Sequence, residues 1–299
     1  MIFGYILAAA SVITWGITFI STKYLLLALS PLEIMFYRFL IAYIGLWIFR
    51  PKWEKIQLKD NLYFALAGLT GIVLYQYAEN TALNFTGASN VSVIVSICPL
   101  FTAIFMQIFF KEKHITPWFI LGFFLSITGV ALVSINGRID ITFNPKGDLL
   151  ALLAGLCWGF YSVFVNIINT RNYDSLCATR RMFFFAEIFM IPLMLLGSKT
   201  GQVDFSAELM RLRVSNPYNW LNICFLGLVA SGFCFWAWNK ACKIVGTVRI
   251  TGGIYLIPVV TIVFAFFLLG EEISPLGLAG AVITIAGLFI SGKKSAKKE

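Results

Sequence analysis

Apolar residues run through this chain in blocks of about 20, the length a helix needs to cross the hydrocarbon of a bilayer. Short polar or charged stretches separate the blocks. Ten spans are predicted, roughly Phe3–Leu29, Pro31–Phe49, Asn61–Asn84, Ala88–Phe110, Pro117–Ile135, Gly147–Asn169, Ser175–Leu196, Pro217–Cys242, Thr247–Leu269 and Pro275–Ser291. Thr116-Pro117 and Ser274-Pro275 read as N-caps with proline at the first helical position. The longest connection, 197–216, is too short to form a soluble domain. The first span lacks a basic region before it and has a counterpart later in the chain, so it reads as structure rather than a signal peptide.

Composition supports a membrane solvent. Of 299 residues, 59% are hydrophobic and 12% charged, and the mean hydropathy is +0.85. Soluble domains carry about 25% charged residues, and one core of this size could not hide so much apolar surface. An aromatic content of 16% excludes disorder. The net charge of +9 resides in short loops and the tail, which argues against nucleic acid as a partner. The six cysteines fall mostly in apolar runs and suggest neither a disulfide framework nor a metal site.

The chain is internally duplicated. Trp15-Gly16 recurs 143 residues on as Trp158-Gly159, and Arg38 recurs as Arg181. At an offset of 159, Gly68 meets Gly227, Asn80 meets Asn239, Gly87 meets Gly246, Pro99 meets Pro258 and Glu112 meets Glu271. At 158, Pro117 meets Pro275, Gly122 meets Gly280 and Gly129 meets Gly287. The predicted fold is therefore an all-α polytopic membrane protein with ten transmembrane helices as a 5+5 repeat. Residues 1–140 form the first unit, 141–292 the second and 293–299 a basic tail. Five is odd, so the second unit enters the membrane inverted, a plan common among secondary transporters with a site at the repeat interface. With the N-terminus inside, fourteen Lys and Arg fall in inner segments and six in outer ones. The positive-inside rule then makes both termini cytoplasmic in a bacterial-type plasma membrane.

Several strings carry a family resemblance: Trp15-Gly16, Phe36-Tyr37-Arg38-Phe39, Ala82-Leu83-Asn84-Phe85-Thr86-Gly87-Ala88-Ser89, Tyr255-Leu256-Ile257-Pro258 and Leu269-Gly270-Glu271-Glu272. With the 5+5 duplication they resemble the EamA family of the drug/metabolite transporter superfamily over nearly the whole length. The resemblance implies a secondary transporter of small organic metabolites, with export of amino acids or related compounds as the leading function. It also implies aromatics lining a central cavity, with Trp158 and Tyr75 the leading candidates.

Polar residues at membrane depth mark where such a cavity lies. Ser11, Thr14, Thr18 and Ser21 recur at helical spacing beside Trp15. Ser89, Ser92 and Ser96 lead to Pro99, and Thr251 and Tyr255 lead to Pro258. Tyr75, Gln76 and Glu79 share a face, as do Trp158 and Ser162 with Tyr161 beside them, and Phe235, Trp238 and Asn239. The candidate substrate-binding set is Trp15, Thr18, Tyr75, Gln76, Glu79, Ser92, Ser96, Trp158, Tyr161, Ser162, Trp238 and Tyr255. Taken singly, each hydroxyl can equally serve helix packing and each aromatic the core. Glu79 can couple protons, line an outer vestibule or neutralise Arg38. Arg38 and Arg181 read as snorkelling residues bonded to carbonyls, with contact to a substrate carboxylate as the other reading of both. Glu187, seven residues after Arg180, reads as its ion-pair partner. Glu112, Glu271 and Glu272 read as interfacial.

Pro99 and Pro258 are candidate gating residues. Mid-span prolines at matching places should kink both helices, releasing the carbonyls of Val95 and Ile254, with Ser96 as a hydroxyl partner. No catalytic residue, cofactor or metal is expected: His114 is the only histidine, and it lies in a loop. That argues against the competing reading, an integral-membrane enzyme. The alternative within transport is uptake of a quaternary or other organic cation. The expected partners are a small-molecule substrate, counter-transported protons as a candidate coupling ion, and the bilayer, with the protein a monomer or homodimer.

The orientation is testable. On a cysteine-free background, Ser206→Cys should react with an impermeant reagent added to intact cells, and Ser295→Cys should not. Equal labelling, or labelling at residue 295 alone, contradicts the positive-inside assignment.

Overall fold

The computed structural model describes residues 1–86, 88–135, 144–204, 206, 215–269 and 273–292. Among these, ten helical spans follow one another: α1 (Ile2–Leu25), α2 (Pro31–Phe49), α3 (Asn61–Gly68 and Tyr75–Phe85), α4 (Ala88–Val95 and Cys98–Phe110) and α5 (Pro117–Ile135), then α6 (Pro145–Asn169), α7 (Ser175–Lys199), α8 (Pro217–Cys224 and Cys234–Val245), α9 (Thr247–Thr251 and Ile257–Leu269) and α10 (Pro275–Ser291). Eight stretches are long and apolar enough to cross a membrane, and α10 is a shorter apolar helix. The protein is an all-α, multi-pass membrane protein. The first span ends at Leu25, four residues short of expectation, because Leu26–Leu29 form turns ahead of the α2 cap.

The starts of the helices follow from local chemistry. Ser30 and Glu33 form a reciprocal capping box before α2. Thr116, Asn144, Asn216 and Ser274 each accept a backbone N–H in the turn they open, and each is followed by proline. A proline there gives up an N–H that would have had no helical partner. Asp174 accepts from the N–H groups of Leu176 and Cys177 at the start of α7 and pairs with Arg50 at 3.2 Å. Partial burial works against its charge, yet the Cys177 N–H, the Arg50 guanidinium and the Leu176 N–H together hold the carboxyl below the usual aspartate value.

The duplication is visible in the irregularities. The two pieces of α3 are joined by a π-helical stretch, Leu69–Leu74, and those of α8 by Phe225–Phe233. The break in α4 falls at Ser96 and Ile97, and its counterpart in α9 is the 3-10 stretch Gly252–Leu256. Packing is also exchanged between halves: α1 lies on α8 and α9 while α6 lies on α3 and α4, and α2 meets α8 while α7 meets α3. Helices α5 and α10 pack on each other through Gly122, Gly129, Gly280 and Gly287. A Cβ on Gly129 would sit 2.6 Å from the Gly280 carbonyl oxygen, and one on Gly280 would sit 2.7 Å from that of Gly129. Ser126 and Thr284 bond across the same seam. In lipid, such close backbone approach is a main source of helix association.

Three expectations are corrected. Pro99 and Pro258 do not kink continuous helices; each stands in the first turn of a new helical segment, Cys98–Phe110 and Ile257–Leu269. The Ser96 hydroxyl donates to the Ser92 carbonyl at 2.7 Å rather than acting as the partner of Val95. Glu187 does not pair with Arg180. Both of its carboxylate oxygens are buried without a hydrogen-bond partner among the described residues, while Arg180 donates to the carbonyls of Arg50 and Lys52. Glu112 is exposed and contacts His114 at 2.7 Å, whereas Glu271 and Glu272 lie outside the described residues.

The α5–α10 seam should tolerate no added bulk. Gly129→Leu is expected to lower thermal stability in detergent by more than the roughly 1–3 kcal/mol of ordinary overpacking. Gly253→Ala, whose Cβ would meet only Val12 at 3.7 Å, should stay within about 0.5 kcal/mol of wild type. Similar melting of both variants contradicts this account of the seam.

Candidate functional site

One cavity, about 530 Å³ with the open space at its mouth included, lies between the halves of the protein. Its wall comes from α1 (Trp15, Thr18, Phe19), α2 (Arg38), α3 (Tyr75, Gln76, Glu79), α4 (Ser92, Val95, Ser96), α6 (Trp158), α8 (Phe235, just after its π stretch) and α9 (Ile254, Ile257). Eight of the twelve sequence-predicted residues are on this wall: Trp15, Thr18, Tyr75, Gln76, Glu79, Ser92, Ser96 and Trp158. The other four, Tyr161, Ser162, Trp238 and Tyr255, are packed behind it and are each no more than 2% exposed.

Aromatic rings form the floor. Trp15 meets Trp158 edge to face with centroids 5.6 Å apart, Tyr75 leans on Trp158 at 5.1 Å, and Trp238 supports Trp15 at 4.9 Å. Phe235 touches both tryptophans. The Trp15 Nε1–H donates to the Ala230 carbonyl at 2.9 Å. Ala230 lies in the π-helical stretch of α8, where wide turns loosen the regular ladder and a carbonyl is available to an outside donor. Trp158 Nε1 is buried with no partner among the described residues.

A guanidinium and a carboxylate face this floor together. Arg38 donates from Nε to Ser231 Oγ at 2.9 Å and from Nη1 to Gln76 Oε1 at 2.8 Å. Neither partner is charged, and Arg38 Nη2 makes no hydrogen bond among the described residues; the opposing charge that acts on it is that of Glu79 across the wall, without direct contact. The Tyr75 hydroxyl donates to Glu79 Oε1 at 2.7 Å, leaving Oε2 without a described partner. No ion pair joins Arg38 to Glu79 among the described residues. Thr18 and Ser96 hydroxyls turn back to the carbonyls of Trp15 and Ser92, the bland role open to any membrane hydroxyl. The placement of Arg38 on the wall was only one of two readings from sequence. Its four-residue neighbourhood is apolar, and its partners come from α3 and α8, distant in the chain.

Below the wall, the structure is sealed by a polar cluster. Tyr161 donates to Asn239 Oδ1 at 2.7 Å, Asn239 Nδ2 donates to Thr179 Oγ1 at 3.1 Å, and Asn169 reaches the Asn239 carbonyl. Among the described residues, no three His, Cys, Asp or Glu side chains are grouped to hold a metal ion.

Ten apolar spans in two interlocked halves, with a polar-and-aromatic cavity at their junction, are the architecture of a polytopic membrane transporter. The chain belongs to the EamA-like transporter family, whose model matches residues 2–135 and again 145–292. An uncharacterized transporter of Archaeoglobus fulgidus is 28% identical, over 97% of this chain and 97% of its own. A probable terminal-alkyne amino-acid exporter of Streptantibioticus cattleyicolor is 26% identical over 95% of this chain and 92% of its own. A probable amino-acid metabolite efflux pump of Salmonella typhimurium is 25% identical over 95% and 93%. A solved crystal structure superposes with a TM-score of 0.74 at 15% identity, covering 97% of this chain and 96% of that one, which shows the shared fold.

If the floor holds the ligand, losing one ring should cost about 1–3 kcal/mol of binding. Trp158→Ala and Tyr75→Ala are therefore expected to weaken ligand-induced thermal stabilisation by roughly fivefold to a hundredfold in ligand concentration, with the proteins still folded. Wild-type response in both variants places the site elsewhere.

Proposed function

We propose that this protein is a secondary transporter that exports amino acids or related amphoteric metabolites by alternating access around the central cavity. The observation that carries this reading is a guanidinium, Arg38, and a carboxylate, Glu79, set on one aromatic-floored cavity without direct contact between them. Arg38 Nη2 suits a ligand carboxylate, Glu79 Oε2 suits an ammonium, and the rings suit an apolar side chain. The relatives named as amino-acid exporters and efflux pumps support the same direction and substrate class. Arg38 opposes the alternative, uptake of an organic cation, because it places a fixed positive charge beside the ligand.

Alternating access gives the four residues behind the wall a role. Applying the repeat offsets of 143 and 159 carries Thr18 to Tyr161, Phe19 to Ser162, Glu79 to Trp238 and Ser96 to Tyr255. All four wall residues thus have a buried image, while Trp15 and Trp158 are images of each other and both face the cavity. The bonds differ in the same way. Trp15 bonds the carbonyl of Ala230, but the image pair, Trp158 and Gly71, is unmade, and the Tyr161 ring lies against Gly71. Thr261 bonds the carbonyl of Gly16, whereas its image Thr102 bonds Ser162 instead of Gly159. The two halves hold one pattern in two conformations. Exchanging those conformations would open a cavity on the opposite face, lined by Tyr161, Ser162, Trp238 and Tyr255, with the Tyr161–Asn239 bond broken. With both termini cytoplasmic, the cavity seen here faces outward.

The helix breaks before Pro99 and Pro258 are where α4 and α9 can pivot. If they are hinges, Pro99→Ala and Pro258→Ala should shift the accessibility of cavity cysteines in opposite senses and slow turnover more than they weaken binding. Wild-type turnover with unchanged accessibility in both leaves the breaks as static shape.

Substrate class is tested by counterflow in proteoliposomes with a labelled large neutral amino acid and unlabelled competitors. Removing the carboxylate (an amino alcohol) or the ammonium charge (an N-acetyl derivative) should each weaken competition roughly tenfold or more, since a hydrogen bond to a charged group contributes about 1.5–3 kcal/mol. In the same assay Glu79→Gln should flatten the pH dependence of flux if Glu79 carries the coupled proton. Competition by choline-like cations, with amino acids inert, contradicts the proposal; an unchanged pH profile in Glu79→Gln removes the proton from that residue.

A further inference from the structure

A second cavity, of about 320 Å³, lies at the far end of α2 from Arg38, between the end of α2, the start of α7 and the α2–α3 connection. Trp47 sits two residues before the end of α2, nine residues beyond Arg38, or about 13 Å along the helix. The lining includes Tyr43, Trp47, Trp53, Arg180, Arg181 and Glu54. None of these residues belongs to the central cavity, and the transport cycle above does not use them.

We propose that this cavity binds the phosphodiester headgroup of an anionic phospholipid. The charge it presents is net positive, two guanidiniums against one carboxylate. Arg180 is only 5% exposed. It is held by the carbonyls of Arg50 and Lys52 and stacks over Trp47 at 3.6 Å, with no carboxylate in ion-pair range among the described residues. Arg181 is fixed by Asn61 Oδ1 through Nε and Nη2 at 3.1 and 3.0 Å and lies over Phe184 at 5.1 Å. It too has no carboxylate partner among the described residues. The one acid in the lining, Glu54, accepts the Asp174 N–H with both oxygens. Two guanidiniums against one carboxylate leave a net positive charge that favours a phosphate oxyanion; Arg181 Nη1 makes no hydrogen bond among the described residues and can donate to it, while Arg180, whose Nη1 and Nη2 are taken by carbonyls, adds its charge.

The surroundings select a lipid over a soluble phosphate. Trp47 and Trp53 stack at 5.7 Å, 22° from parallel, and Trp53 is exposed. Tryptophans at a span's end sit at headgroup level. Towards the bilayer centre, the exposed apolar side chains of Ile44 on α2 and Ile188 and Ile191 on α7 offer a path for acyl chains. The headgroup would lie over the guanidiniums, with Lys52 and Lys55, both exposed, adding attraction from the same connection.

The test uses the delipidated full-length protein in detergent, titrated with dioleoyl phosphatidylglycerol, dioleoyl phosphatidylcholine or inorganic phosphate. Binding is read by native mass spectrometry and by the shift in melting temperature. Phosphatidylglycerol is expected to bind and stabilise, phosphatidylcholine to bind at least tenfold more weakly, and inorganic phosphate to do neither. Arg181→Gln and Trp53→Ala, chosen because neither supports buried carbonyls, should each weaken phosphatidylglycerol binding at least tenfold. Lys59→Gln removes a charge from the same connection outside the cavity and should leave binding unchanged. Wild-type affinity in both cavity variants, equal loss in Lys59→Gln, equal binding of phosphatidylcholine, or displacement of the lipid by inorganic phosphate would each overturn the proposal.

Discussion

Lipid tails are as apolar as leucine, so helices in a bilayer gain little by hiding apolar side chains from them and associate instead through close packing and internal hydrogen bonds. In this protein that packing runs between the repeats. Helix α1 rests on α8 and α9, α6 rests on α3 and α4, and α5 and α10 approach at glycines from both halves. The cavity is a consequence: it is the space where α1, α2, α3 and α4 of one half fail to close against α6, α8 and α9 of the other. Its chemistry depends on the same arrangement, because Arg38 is held by Ser231 across the repeat boundary and Trp15 by Ala230.

An ionised group at this depth is costly unless its surroundings supply bonds. Arg38 receives neutral partners and Glu79 a tyrosine hydroxyl, and each retains an atom for something else. A direct Arg–Glu pair would have been the simpler way to bury both charges. Keeping them apart on one wall is what the proposed zwitterionic substrate requires. The π-helical stretches serve the same site from behind, since the carbonyl of Ala230 anchors the indole that forms its floor.

Much of the fold was legible because bilayer thickness fixes span length and the repeat fixes the order. Cap–proline pairs such as Thr116-Pro117 and Ser274-Pro275 even located individual helix starts. The site was legible only as a set of faces. Periodicity placed Trp15, Tyr75, Glu79 and Trp158 on polar stripes, and it also placed Tyr161, Ser162, Trp238 and Tyr255 there. It could not separate the two groups, because what separates them is the conformation of each half and the repeat pattern is nearly the same in both. Arg180 and Glu187 illustrate a different limit. Their spacing puts them on one helix face, but the long arginine side chain reaches the loop carbonyls at the end of α2 instead, leaving the carboxylate alone. The prolines misled for a third reason: a proline demands only the absence of an N–H, which a fresh helix start supplies as readily as a kink.

The central claim is that wall and buried image exchange places. It is tested most directly by sidedness of labelling at one pair of equivalent positions, Ser92 on the cavity wall and Thr251, its fully buried image. In proteoliposomes of defined orientation, on a functional cysteine-free background, Ser92→Cys should react with an impermeant reagent only from the outer face and Thr251→Cys only from the inner face during turnover. Reaction of both from the same side, or a Thr251→Cys that stays inert while substrate continues to flow, would contradict the exchange.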